Sequence, residues 1–91
     1  MTYAEELQAK KIKLERVLAV KKADLKLTNK AIEDYQEKEK NGYLGTWDAQ
    51  NWNKEISVAN DLELVIECLQ FEINDIENEL KKESINPTPV I

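Results

Sequence analysis

The only two glycines of this chain, Gly42 and Gly45, stand together at its midpoint, and its only two prolines, Pro87 and Pro89, stand near its end. Both long stretches outside the midpoint are therefore free of the residues that interrupt a helix. Each stretch also carries apolar residues at heptad spacing. In the first they are Leu7, Leu14, Leu18, Leu25, Ile32 and Tyr35. In the second they are Trp52, Ala59, Leu62, Ile66, Leu69, Ile73, Ile76 and Leu80. A repeat of alternating three and four residues keeps a stripe on one side of a helix and suits pairing with a second helix. Lys11, Lys21 and Thr28 interrupt the first stripe, and lysine stems can lie along an apolar groove with the ammonium group in water.

The spacing predicts helix 1 over about 2–40, a turn over 41–46, helix 2 over about 47–84 and an extended tail over 86–91, with residues 1–85 as one helical domain. Thr2 and Glu5 have the spacing of a capping box. Asn41, Gly42 and Gly45 are suited to end helix 1 through a left-handed conformation, and Thr46 or Asp48 can cap helix 2. Arms of roughly 38 residues span about 57 Å each at 1.5 Å per residue, so they can pair along their whole length.

The charges are sorted in the same way. Lys10, Lys11, Lys13, Arg16, Lys21, Lys22, Lys26 and Lys30 face only Glu15 and Asp24 in the segment 10–30, a net charge of +6. Asp61, Glu63, Glu67, Glu72, Asp75 and Glu77 have no basic residue among them in the segment 58–78, a net charge of −6. Folding back at the turn sets one segment beside the other, and opposite charges flanking a seam select partner and orientation. The expected fold is all-α, an antiparallel two-helix coiled-coil hairpin assembled into a helical bundle as a homo-oligomer. The competing architecture joins both helices into one rod that pairs with another chain. Gly42 and Gly45 oppose it, at roughly 1 kcal/mol each in a helix interior.

A chain this short buries a modest share of its surface, so small folds are reinforced by disulfides, metals or association. Cys68 is the only cysteine and there is no histidine, which removes an intrachain bridge and the common zinc ligand sets. No metal or cofactor is expected. There is also no base beside the lone thiol, no phosphate-binding glycine loop and no nucleophile elbow, so catalysis is not expected. The net charge of −5 repels phosphate and argues against direct nucleic-acid binding. No apolar run is long enough for a membrane span and no signal-peptide pattern opens the chain, so the expected location is the cytoplasm.

What remains is binding of protein. On a wheel of about 100° per residue, Leu64, Cys68 and Phe71 lie opposite the Ile66 and Ile73 seam. Ala9, Ile12, Val20, Ala23 and Leu27 lie opposite the Leu18 and Leu25 seam. One hairpin cannot cover these residues, so Leu64, Cys68, Phe71, Val20 and Leu27 are candidate contacts for a second copy or for a different protein. The turn adds Tyr43, Leu44, Trp47 and Trp52; Tyr43 and Trp47 are candidate interface anchors, while Trp52 is suited to closing the end of the seam. Glu72, Asp75 and Glu79, with Asp61, form an acidic surface that can steer a basic partner or be simply solvated. The leading expectation is a small non-enzymatic adaptor or inhibitor. An alternative is an acidic nucleic-acid mimic, of the kind a phage encodes, that blocks a DNA- or RNA-binding protein. The tail from Asn86 to Ile91, with Val90 and Ile91 as anchors, is a further candidate contact.

Two long helices with a turn holding Tyr43-Leu44-Gly45 resemble the WXG100 proteins, small helical hairpins exported by type VII secretion and usually dimeric. The resemblance covers the hairpin alone: Tyr43 stands in place of the defining Trp, and no Tyr-xxx-Asp/Glu signal follows helix 2. It implies an alternative role as a small secreted helical-hairpin dimer.

Overall fold

The structure, a computed structural model, describes residues 2–85, with side chains described through residue 82. The tail expected to extend over 86–91 lies outside the described residues. Two helices make up the fold, α1 (Tyr3–Lys40) and α2 (Thr46–Ile85), folded back on each other as an antiparallel hairpin. The result is a rod of 74 × 19 × 14 Å. The continuous single rod considered from sequence is not what forms, because the chain reverses between Asn41 and Gly45.

Both helices begin with a side chain answering a free backbone N–H. Thr2 is the N-cap of α1, and its hydroxyl oxygen accepts from the Glu5 N–H at 3.1 Å. At α2 the cap differs from the expectation of Thr46 or Asp48. The first helical bond runs from the Ala49 N–H to the Gly45 carbonyl, so Gly45 is the N-cap. Asp48 sits three residues on and reaches back, its Oδ2 accepting from the Gly45 N–H at 3.1 Å. That is the carboxylate half of a capping box. Its other oxygen lies 3.5 Å from Lys38 Nζ and ties the end of α1 to the start of α2.

The reversal is a Schellman motif. The Tyr43 N–H donates to the Lys38 carbonyl at 2.8 Å and the Gly42 N–H to the Glu39 carbonyl at 3.1 Å, with Gly42 at φ +77°. A Cβ at Gly42 would meet nothing within 4 Å, so a substitution there is opposed by the backbone conformation alone. Gly42→Ala is expected to cost about 1 kcal/mol in urea unfolding and Gly42→Asn less, since Asn tolerates this conformation.

The ion pairs Lys11–Glu77, at 3.4 Å, and Lys38–Asp48 fix the register of the two helices. Continued along the rod, that register sets Leu7 beside Leu80, Leu14 beside Ile73, Leu18 beside Leu69, Leu25 beside Leu62, Thr28 beside Ala59 and Tyr35 beside Trp52. Among the described residues Ala59, Ile66, Ile73 and Ile76 are the buried apolar ones, and the seam leucines Leu7, Leu14, Leu18, Leu25, Leu62, Leu69 and Leu80 are half-buried. Among the described residues no side chain is enclosed on all sides, because a two-helix seam covers one side of each helix only. Thr28 does not interrupt this seam as the sequence suggested; it is buried, at the level of the small and likewise buried Ala59. Trp52 closes the seam near the turn, with its Nε1 buried and without an acceptor.

Candidate protein-interaction surface

The chain exposes 7247 Å², whereas a compact monomer of its mass is expected to expose about 5,500 Å². Much of the exposed surface is apolar. Leu27 is 69% exposed, Phe71 68%, Leu64 61% and Val20 58%, and Cys68 is exposed as a free thiol. Val17, Val58 and Val65 also stand open to solvent. These three valines were absent from the sequence-based candidates.

The register explains what they add. In an antiparallel pair, the flank of α1 next to the seam on one side meets the matching flank of α2. Helical phase puts Val17, Val20, Leu27 and Ala31 of α1 on the same broad side of the hairpin as Val58, Val65 and Cys68 of α2, with Leu64 and Phe71 at its outer edge. The other broad side carries Glu15, Lys22 and Asn29 beside Glu63, Gln70 and Glu77, with Ile12 and Ile56 as its main exposed apolar residues. Hollows on that side have Leu25 and Ile66 as their floor, with Lys22, Lys26, Asn60 and Glu63 along their margins and Leu27 and Leu64 reaching in from the outer edges. The surplus apolar surface is thus concentrated on one broad side of the rod. It occupies one level as well, since residues 17–31 of α1 lie opposite residues 58–71 of α2.

The charged candidates border this patch. Glu72 and Asp75 are exposed, whereas Glu79 is half-buried and lies 3.8 Å from Lys82 Nζ. On α1, Lys13, Arg16 and Lys30 are exposed around the apolar residues. Each helix therefore presents a largely apolar middle flanked by charges of its own sign, with Asp24 the one acidic residue within the middle of α1.

At the tip, Tyr43 and Trp47 are 79% and 78% exposed. Tyr43 lines a shallow hollow with Ala31, Asp34, Tyr35, Lys38 and Asn41, and Lys38 Nζ lies 5.6 Å from the centre of the Tyr35 ring. By phase this hollow is on the same broad side as the valines. So is Trp47, on the other helix and at nearly the same level.

Among the described residues there is no cluster of three or more His, Cys, Asp or Glu placed to hold a metal, and no helix is long and apolar enough to cross a membrane. Fold and surface together define an all-α helical hairpin with an uncovered apolar side. The chain matches no family model, no curated protein and no solved structure.

Proposed function

We propose that this hairpin is a protein-interaction module, an adaptor or inhibitor that acts by burying surface against another polypeptide and performs no reaction of its own. One observation carries the reading: among the described residues, twelve large apolar or aromatic side chains are exposed while four apolar residues are buried, and much of the surplus lies on one side. A contiguous apolar patch of several hundred Å² is characteristic of an interface. Covering a single residue such as Phe71 or Leu64 is worth roughly 1.5–3 kcal/mol. Glu72 and Asp75 beside that patch favour partners with basic groups at the matching positions, through faster encounter and correct alignment.

A side-dependent cross-link tests this. A photo-activated cross-linking residue placed at Val65 in cells is expected to give discrete protein adducts, whereas the same residue at Gln70, on the polar side, gives few. Equal yields at both positions, or no adducts at either, would overturn the reading.

A further inference from the structure

We propose that the partner on the apolar side is a second copy of this chain, held face to face about a twofold axis parallel to the helices, so that both tips lie at the same end. The inference rests on the interaction-module reading and names its partner.

Charge selects the arrangement. A twofold axis perpendicular to the broad side would set the hairpins edge to edge, placing α1 against α1 or α2 against α2. An in-plane axis across the helices would stack α1 on α1 and α2 on α2. Both arrangements bring like-charged segments together, at net +6 or −6 each. The axis along the rod stacks α1 of each copy on α2 of the other. Every helix then has two oppositely charged neighbours, one in its own chain and one across the interface, and the contact is isologous and closed.

The levels agree with that axis. It preserves height along the rod, so the register within one hairpin also sets the register between the two. Val17 and Val20 of one copy come level with Cys68 and Phe71 of the other, and Leu27 with Val58. Arg16 and Lys13 come level with Glu72 and Asp75. At the tip, Trp47 of one copy comes level with the hollow between Tyr35, Lys38 and Tyr43 of the other. Val17, Val20, Leu27, Val58 and Val65, with Leu64 and Phe71 at the edge, expose at most about 700 Å² per copy, below the roughly 800 Å² that each partner gives to a standard stable interface, the charged residues around them supplying the rest.

Two readouts on the full chain test the pairing and its orientation. Light scattering across micromolar concentrations should give twice the chain mass of 10.6 kDa. Val65→Glu plants two carboxylates in the shared face and should raise the dissociation constant on the order of a hundredfold while leaving helicity intact. A spin label on a non-natural residue at position 40 reports orientation. Tips at one end place the two labels within about 30 Å, given interaxial distances of 8–10 Å. Tips at opposite ends place them beyond about 50 Å at 1.5 Å per residue.

A dimer with close labels that Val65→Glu dissolves supports the proposal. A dimer with distant labels overturns the orientation, and a dimer indifferent to Val65→Glu overturns the use of this face. A monomer throughout overturns self-pairing. If the Val65 cross-linker in cells then still captures a different protein, the interaction-module reading stands while this inference fails.

Discussion

Ile73→Asp is expected to unfold the hairpin, and Ile73→Ala to destabilise it by about 2–4 kcal/mol. Ile73 is 7% exposed and lies level with Leu14, in the part of the seam where Ile66, Leu69, Ile76 and Leu80 follow at heptad spacing. A carboxylate there has no basic partner within the seam layer and would be held in a largely apolar strip. Small domains have a total stability of about 5–15 kcal/mol, and a rod with four buried apolar residues among those described has few other contacts to compensate. Phe71→Ala is the informative contrast. Phe71 is larger but lies on the outer side, so truncation removes little from the isolated hairpin. Circular-dichroism melts over a range of concentrations separate the two cases. Ile73→Ala should lower Tm at every concentration, whereas Phe71→Ala should lower it only where the chain associates. Equal effects at high dilution would mean that Phe71 belongs to the core of the hairpin and not to an interface.

That contrast also shows where the sequence was informative. The seam was legible because heptad spacing survives substitutions of unlike chemistry. Lys11, Lys21 and Thr28 keep the alternating three- and four-residue spacing, and the structure shows them as seam members: two half-buried lysines and a buried threonine. The half-buried lysines agree with stems lying along the groove, whereas reading Thr28 as an interruption gave chemistry too much weight and spacing too little. The reversal was legible at Gly42, whose left-handed conformation suits glycine. The role of Gly45 was not, since it opens α2 without a positive φ, and its cap comes from Asp48 reaching backward.

The interaction surface was half legible. Leu64, Phe71, Val20 and Leu27 were identified as surplus to one seam, and they are among the most exposed apolar residues. Val17, Val58 and Val65 were missed because they flank the seam, where a single-helix wheel cannot distinguish a covered position from an open one. Only the pairing register shows that the two flanks share one broad side. The signal was present in the sequence, since heptad phase and antiparallel pairing together determine which flanks meet. Treating each helix separately discarded it.

Lys21→Leu is expected to stabilise the hairpin by about 1–2 kcal/mol. Lys21 lies half-buried between Leu18 and Leu25 and level with Ile66, so a leucine there completes an apolar layer. The gain is smaller than the full burial of a leucine, because the lysine stem already covers part of the groove. For a domain of this size each kcal/mol moves Tm by about 4–8 °C, which thermal melts resolve easily. Lys11→Leu should gain less. It fills a comparable layer beside Ile76 but breaks the 3.4 Å pair with Glu77, whose side chain is 43% exposed; pairs of that kind contribute about 0.2–1 kcal/mol. The order Lys21→Leu above Lys11→Leu is therefore the test, and a loss of stability in Lys21→Leu would mean that position 21 does not face the seam. Both lysines then stand as natural departures from the most stable sequence, with a consequence for pairing. In any arrangement that brings two α1 seams together, they place at the contact two of the eight bases that only two acids balance. Against α2 the same lysines meet isoleucine and glutamate. A variant with both lysines replaced should melt higher while losing some of its preference for pairing α1 with α2, seen as a broader distribution of solution masses at the same concentration.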